Sequence, residues 1–193
     1  MTQKNLFEVD WSKIPPPSDD GGTAHLKGMA IPSIGLPATD GTLVTLAALG
    51  GRTVVFAYPR TGEPGKIALV DDWDMIPGAR GCTPQNCSFR DLFAELKAAG
   101  AAHVFGLSTQ TRAYQTEMAS RLHLPFAVLS DDKLQLTRAL ELPTMEVAGL
   151  TMIKRLALII DKARITHVFY PVFPPDRNAA DVLAWLKENP AKT

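Results

Sequence analysis

The sequence predicts an α/β domain built around a central mixed β-sheet flanked by helices. Short apolar and β-branched segments alternate with helical segments along most of the 193 residues, which is the pattern of an α/β fold. Two apolar segments near the C-terminal end are joined by the short turn Asp161-Lys162-Ala163, so an antiparallel hairpin should close the sheet. The length suits one domain of ~100–200 residues and suffices to bury a full core.

Each expected element rests on a local pattern. The β-branched and aromatic segment Thr53–Tyr58 predicts a buried central strand, and Pro59 ends it. Apolar residues from Phe89 to Leu96 recur at i, i+3, i+4 and i+7, which predicts an amphipathic helix. The expected strands cover 43–46, 53–58, 104–107, 126–129, 156–160 and 165–170. The expected helices cover about 83–100, 112–122, 133–140 and 179–188.

Two segments lack a regular pattern. Residues 1–30 contain three consecutive prolines and an Asp-Asp-Gly-Gly run, which break regular structure and predict a partly irregular N-terminal arm before a domain over 31–190. A loop insertion is expected at about 60–81, and loops of such length are usually functional or mobile. Its Trp73, Met75 and Ile76 are expected to pack on the domain; the alternative is that they shape substrate preference or a dimer contact.

Composition excludes several classes of partner. Lys and Arg together number 20, as do Asp and Glu, so the formal net charge is zero. Nucleic acid binding needs a cationic surplus, and no stretch approaches the ~20 apolar residues of a membrane span. The N-terminal residues lack the apolar core of a secretory signal. We therefore expect a cytoplasmic protein with neither a nucleic acid nor a membrane partner.

Both cysteines lie in the segment Gly81–Asp91, between the long loop and the expected helix. Pro84 suits the first turn of a helix, so Cys82 falls at or just before the helix N-terminus. Unpaired N–H groups and a partial positive charge at that end favour a thiolate over a thiol. Cys82 is therefore positioned as a nucleophile, and a sulfur sealed in the interior would argue against this interpretation.

Cys87 follows five residues later in the same helix. A rise of 1.5 Å per residue, with the sideways displacement, separates the two Cα atoms by roughly 8–9 Å. A disulfide needs less than about 7 Å, so the pair can join only if the helix unwinds locally. We predict that reduced protein has the helix formed from Thr83 and that oxidised protein has lost it there. Amide exchange that is identical in a verified Cys82–Cys87 disulfide would refute this.

Other interpretations of the cysteines remain open on the residues alone. Free cysteine is among the most buried residue types, so Cys87 could be a core residue. A structural zinc site needs four ligands, and His103 and His123 lie far along the chain from the two thiols. Arg155 begins an otherwise apolar strand, where it could either face solvent or approach Cys82.

The segment Gly81-Cys82-Thr83-Pro84-Gln85-Asn86-Cys87-Ser88-Phe89-Arg90-Asp91 resembles the Gly-Cys-Thr-x-x-x-Cys-x-x-Arg-Asp motif of the peroxiredoxins of the PrxQ, or bacterioferritin-comigratory-protein, branch. The strand beginning Arg155-Leu156-Ala157 resembles the one that supplies this family's catalytic arginine. The resemblance extends over about residues 31–190 and implies a thioredoxin-like fold.

This resemblance implies a mechanism. Cys82 would be the peroxidatic cysteine that attacks a hydroperoxide, Cys87 the resolving cysteine that forms an intrachain disulfide with it, and Arg155 the residue that stabilises the thiolate. Thioredoxin or a similar dithiol protein would reduce the disulfide. No bound cofactor or metal is implied, and we expect a monomer or weak homodimer.

The sequence departs from the family pattern ahead of Cys82. The family carries Pro-x-x-x-Thr-x-x-Cys, whereas here Pro59 is distant and Ala79 stands where the threonine is expected. Pro59 and Thr61 would position the peroxide if Thr61 folds back towards Cys82 while residues 62–78 bulge outward. Thr83 is a second candidate for the missing hydroxyl, although it suits a helix start.

Two other functions compete with peroxide reduction. A thiol–disulfide exchanger on the same fold would generally use a closer Cys-x-x-Cys pair, which the spacing here disfavours. A redox-responsive binding protein would need no turnover. Rapid oxidation by hydrogen peroxide would separate a peroxidase from both.

Overall fold

A five-stranded mixed sheet forms the centre of the computed structural model, which describes residues 9–191. The strand order is β5-β4-β3-β8-β9, with β3 parallel to β4 and antiparallel to β8. The five strands are β3 (Thr53–Ala57), β4 (His103–Ser108), β5 (Val128–Ser130), β8 (Leu156–Asp161) and β9 (Arg164–Phe169). Since β8 and β9 pair antiparallel, the predicted mixed sheet and closing hairpin are confirmed.

Within residues 9–191, five α-helices and two small sheets accompany the central sheet. The helices are α1 (Cys82–Asp91), α2 (Phe93–Ala98), α3 (Arg112–Arg121), α4 (Gln135–Ala139) and α5 (Asn178–Glu188). Two antiparallel pairs join β1 (Gly35–Pro37) to β2 (Leu43–Thr45) and β6 (Thr144–Val147) to β7 (Leu150–Ile153). In the described part of the chain, no helix is both long and apolar enough for a membrane span.

Alternating residues of β3 divide the core into two faces. Val54 and Phe56 pack with α1 and α5, whereas Val55 and Ala57 pack on the opposite face of the sheet. The ring of Phe56 stacks on Phe89 of α1, with ring centroids 3.9 Å apart. This stack anchors the C-terminal part of α1, beyond Cys87, on the central strand.

The helix expected over about 83–100 differs from the prediction in two ways. It begins at Cys82, and it is interrupted at Leu92, which ends α1 and precedes α2. The apolar repeat continues through this break because both helices turn their apolar residues towards the same core. Periodicity alone therefore could not show where the axis is interrupted.

The β6–β7 hairpin was not predicted, although its turn carries a local signal. Ala148 and Gly149 both have positive φ, of 50° and 75°, as a two-residue hairpin turn with the twist of its strands requires. Alternation around an Ala-Gly pair is a weaker hairpin signal than Asn-Gly, which explains the omission.

The N-terminal arm and the insertion both contact the domain. Residues 1–8 of the predicted arm lie outside the described residues, while Leu26 is fully buried against one face of the sheet. In the insertion, Trp73 and Ile76 pack with Ala79 and residues of the β6–β7 hairpin. Met75 is 61% exposed, so the expectation that it packs on the domain is wrong: it lies on the outer side of the short 3-10 helix Trp73–Met75.

Candidate active site

Cys82 is the first residue of α1, immediately after Gly81. The φ angle of Gly81 is +102°, in the left-handed region that disfavours side chains. A Cβ at this position would stand 2.6 Å from the Trp11 ring and 2.7 Å from Pro175. Glycine is thus required at this position both by the backbone conformation and by the neighbouring side chains.

The sulfur of Cys82 has two polar neighbours. Arg155 Nη2 donates a hydrogen bond to Sγ over 3.3 Å, and the thiol can donate to the Ala79 carbonyl 3.5 Å away. Burial raises the pKa of Tyr58 well above its ordinary value, and the nearby charge of a Cys82 thiolate raises it further. Tyr58 therefore stays neutral, and its hydroxyl donates a hydrogen bond to Gln115 Oε1.

Arg155 is a buried cation, 2% exposed, just before β8. Its guanidinium donates to the backbone carbonyls of Gly78, Ala79 and Arg80 over 3.0–3.3 Å, and to the Gln85 side chain. Among residues 9–191 none of its hydrogen-bond acceptors is a carboxylate. A buried charge is costly unless it is paired, so an anionic Cys82 sulfur would supply the missing opposite charge.

Gln85 connects Arg155 to the C-terminal helix. Its side-chain oxygen accepts from Arg155, and its Nε2 donates to Asn178 Oδ1 at the start of α5 over 2.9 Å. All three side chains are buried. Sequence reasoning missed both Gln85 and Asn178. Gln85 lies one helical turn after Cys82, which could have indicated it, whereas no local signal indicates Asn178.

Cys87 lies within the same intact helix and is 9% exposed. Both thiols are free. Burial is the main reason that the pKa of Cys87 is raised above its ordinary value, and the positive charge of Arg90 partly opposes the shift. The buried Cys87 is therefore a neutral thiol at neutral pH in this arrangement.

Hydrogen bonds hold both the backbone and the side chain of Thr61. Its N–H and its hydroxyl both donate to Gln110 Oε1, over 2.9 and 3.1 Å, and its carbonyl accepts from the hydroxyl of Tyr114. These bonds tie Thr61 to the start of α3 and anchor the beginning of the insertion, and the positioning of a peroxide by Thr61 stays a prediction. Pro59 is buried and offers its carbonyl to Ser108.

The position expected to hold a threonine contributes through its backbone. Ala79 is fully buried, and its carbonyl lies between the Cys82 sulfur and Arg155 Nη2. An alanine side chain offers no hydroxyl, so the polar surroundings of Cys82 differ here from the Pro-x-x-x-Thr-x-x-Cys pattern.

Access to the sulfur is restricted. Cys82 is only 3% exposed, so the expectation of a nucleophile that solvent can reach is not met in this arrangement, and its burial argues against a reactive Cys82 unless the site opens. A peroxide can reach the sulfur only after the surrounding segments move. The segments nearest the start of α1 are the N-terminal arm at Trp11 and the turn at Pro175.

The described residues show no grouping suited to a metal ion. Between residues 9 and 191, no three His, Cys, Asp or Glu side chains are close enough to hold one. The histidines have structural contacts instead. His25 and His103 each bond a backbone carbonyl, and His167 stacks on Trp185.

This geometry defines a thiol-based redox site: a cysteine at a helix start, a buried arginine on its sulfur and a second thiol in the same helix. A family model described as Redoxin matches residues 26–183, and the chain belongs to that family.

The relatives narrow the family to one branch. Peroxiredoxin Bcp of Escherichia coli (strain K12) is 32% identical over 167 residues, which cover 84% of this chain and 96% of that protein. The chloroplastic peroxiredoxin Q of Oryza sativa subsp. japonica is 31% identical over 163 residues, covering 83% of this chain and 66% of the rice protein. The chain is therefore a peroxiredoxin of the Q/Bcp branch, a class of thiol-dependent peroxidases.

A solved structure supports the thioredoxin-like fold. The crystal structure of peroxidoxin BcpB from Mycobacterium tuberculosis is similar with a TM-score of 0.68 and 26% identity. The match covers 86% of this chain and all of that one. Peroxide as oxidant and a thiol as reductant follow from membership in this class.

Proposed function

We propose that this protein reduces hydroperoxides, with Cys82 as the peroxidatic residue and Cys87 as the resolving residue. The observation that carries the proposal is the 3.3 Å contact between Arg155 Nη2 and Cys82 Sγ at the first residue of α1. A cation and a helix N-terminus acting on one sulfur both favour the thiolate, which is the nucleophilic form.

In the first step the Cys82 thiolate attacks the nearer oxygen of the hydroperoxide. A sulfur–oxygen bond forms and the oxygen–oxygen bond breaks, so sulfur loses two electrons and the peroxide gains them. The leaving oxygen departs as an alkoxide or hydroxide and takes up a proton to become alcohol or water. Cys82 is left as a sulfenic acid.

Arg155 is proposed to stabilise the charge that moves in this step. Its guanidinium is held by three backbone carbonyls and Gln85, so it is oriented before the peroxide arrives. A fixed donor that needs no reorganisation stabilises the developing negative charge effectively in a site that excludes water.

In the second step the Cys87 thiol condenses with the sulfenic acid. A disulfide forms and one water molecule leaves, carrying the sulfenic oxygen. Because both cysteines lie in the intact helix α1, roughly 8–9 Å apart by helix geometry, this step requires α1 to unwind between them. A dithiol reductant then returns both residues to thiols and becomes oxidised itself.

We propose thioredoxin, or a protein with similar dithiol chemistry, as this reductant. We also propose that the protein is a monomer or weak homodimer and that it acts in the cytoplasm. The two free thiols are compatible with a reducing compartment. The rice relative is named chloroplastic, so location is a property of each protein in this branch and needs its own measurement.

The test is a peroxidase assay coupled to thioredoxin, thioredoxin reductase and NADPH. Wild type should turn over hydrogen peroxide, Cys82→Ser should be inert, and Cys87→Ser should consume one equivalent and stop as a sulfenic acid trapped by dimedone. Wild-type turnover by Cys82→Ser would overturn the proposal. Oxidation of wild type no faster than that of a free thiol would instead favour a redox-responsive binding protein.

A further inference from the structure

The N-terminal arm lies against the candidate active site along residues 11–20, here termed the N-terminal latch. At its first end, the Trp11 indole N–H donates to the Asp176 carboxylate over 2.9 Å. The Trp11 ring meets Phe173 edge-on with centroids 6.0 Å apart. The same ring lies so close to Gly81, the residue before Cys82, that a Cβ there would stand 2.6 Å from it.

The second end of the latch is held by Asp20. Its carboxylate accepts from Lys154 Nζ over 2.6 Å and from the Tyr170 hydroxyl over 2.7 Å. Lys154 directly precedes Arg155 in the chain. These bonds lower the pKa of Asp20, the bond from Lys154 being the largest cause, so the carboxylate is ionised at neutral pH.

Between its ends the latch spans the loop that holds the arginine. Pro17 lies near Gly78, where an added Cβ would meet it at 3.6 Å. A cavity of about 210 Å³ separates this part of the latch from Arg155. The latch is thus attached mainly at its two ends, Trp11 and Asp20, rather than packed along its whole length.

The loop 78–81 is therefore held from two sides. Its carbonyls at residues 78, 79 and 80 accept hydrogen bonds from Arg155 on the inner side. On the other side it meets Pro17 at Gly78 and Trp11 at Gly81. Displacing this loop breaks contacts with both.

Forming a disulfide requires this region to move. Phe89, stacked on Phe56 in the central strand, anchors α1 beyond Cys87. Unwinding therefore falls on the segment from Gly81 to Cys87. Gly81 is confined between Trp11 and Pro175, so the start of α1 cannot leave its place until the Trp11 contact opens.

We propose that the N-terminal latch holds the reduced arrangement of the active site, with Trp11 as the positioning residue that limits how fast the Cys82 sulfenic acid reaches Cys87. This inference rests on the proposed two-cysteine function. A latch that delays the disulfide prolongs the life of the sulfenic acid. A second hydroperoxide can then oxidise it to sulfinic acid, transferring one oxygen to sulfur and leaving as alcohol or water.

The decisive experiment compares wild type with Trp11→Ala by rapid mixing with hydrogen peroxide, acid quench and mass spectrometry of Cys82. We expect disulfide formation to become about fivefold faster in Trp11→Ala, the effect of losing a modest packing contact, and the sulfinic fraction at high peroxide to fall. The matched control is Trp185→Ala: this tryptophan is also half-buried but contacts His167 and Arg52, so it should leave the disulfide rate unchanged.

Asp20→Asn provides a second variant at the other end of the latch, on the surface, where folding is not at risk. It removes the ion pair between Asp20 and Lys154. The two side chains are 39% and 32% exposed, respectively, so salt screens their attraction. Disulfide formation should be faster in Asp20→Asn, and added salt should accelerate wild type more than this variant.

The outcomes separate the two proposals. If wild type forms no sulfenic acid with peroxide, the proposed function fails. If wild type forms the sulfenic acid and the disulfide, but Trp11→Ala and Asp20→Asn resolve at the wild-type rate, the function stands and the latch proposal fails. Equal acceleration in Trp185→Ala would also overturn it, because general destabilisation would then explain the change.

Discussion

At the scale of single residues, the environment of Arg155 is the feature with the largest chemical consequence. Its charge is buried among neutral acceptors, and the Cys82 sulfur is the neighbour that can carry a compensating negative charge. The fork of guanidinium N–H groups allows one side chain to bind the loop carbonyls, Gln85 and the sulfur together. Lysine, a compact charge without that fork, could not make this set of bonds.

Replacing Arg155 should therefore slow the first chemical step. We expect Arg155→Ala to form the sulfenic acid about 10²–10³-fold more slowly, the usual cost of losing a fixed donor at a developing charge. The rate of Arg155→Lys, which keeps the charge but loses the fork, should fall between those of wild type and Arg155→Ala. Stopped-flow oxidation measures the rate, and far-UV circular dichroism checks folding. A folded Arg155→Ala variant that reacts at the wild-type rate would exclude the role.

Cys87 should make the second step depend on pH. Its raised pKa, caused first by burial, means that the folded helix disfavours the Cys87 thiolate. Below the ordinary thiol pKa of 9.0, Cys87 is protonated and the helix α1 keeps its full stability. As pH rises above 9.0, the helix is destabilised relative to its unwound form, which can hold the thiolate. Disulfide formation should thus accelerate as pH is raised above about 9. Quenched-flow measurement of the disulfide, starting from preformed sulfenic acid, tests this; a rate that is flat or falling with pH would contradict it.

At the scale of elements, the start of α1 determines where the nucleophile sits. The positive φ of Gly81 turns the loop into the helix so that Cys82 is its first residue. Trp11 and Pro175 leave no room for a side chain at this turn. The tight turn at Gly81 therefore places the Cys82 sulfur at the helix start, within 3.3 Å of Arg155 Nη2.

A pair of glycine substitutions separates backbone strain from crowding. Gly100 has nearly the same φ as Gly81, +100° against +102°, but open space where its Cβ would be. Gly100→Ala should lose about 1–3 kcal/mol of unfolding free energy from strain. Gly81→Ala should lose more, because its Cβ collides with Trp11 and Pro175, and it should also react more slowly with peroxide. Urea unfolding and stopped-flow oxidation measure these effects. Equal stability losses and unchanged reactivity would show that the turn tolerates a side chain.

At the scale of the whole molecule, the insertion acts as part of the framework of the site. Trp73, Ala79, Val147 and Met152 form a small core of their own, joining the insertion to the β6–β7 hairpin. Ala79 belongs both to this core and, through its carbonyl, to the surroundings of Arg155. Packing far from the sulfur therefore supports the loop that orients the arginine.

Trp73 tests this connection against a neighbour in the same short helix. Trp73→Ala should cost about 3–5 kcal/mol of unfolding free energy, as large buried side chains do, and should slow peroxide reduction by loosening Ala79. Met75→Ala, at a residue that is 61% exposed, should change stability by no more than about 0.5 kcal/mol. Chemical unfolding and the coupled assay give both quantities. Similar effects from the two substitutions would mean that the insertion does not support the site.

The sequence was sufficient where the information lies in neighbouring residues. The continuous apolar, β-branched run of β3, the apolar repeat across α1 and α2 and the placing of Cys82 at a helix start are all encoded within short stretches, because such runs and helix periods are local properties of the chain. The motif around Cys82 and Cys87 likewise indicates the family, because its residues are neighbours in the chain.

Tertiary structure alone decided the contacts between distant residues. The 3.3 Å approach of Arg155 to Cys82, the bonding of Thr61 to Gln110 and the contact of Trp11 with Gly81 each join segments far apart in the chain. Such contacts depend on the order of strands in the sheet and on the paths of the loops between them. No local period or spacing encodes that order, since it follows from how the whole chain buries its apolar surface at once.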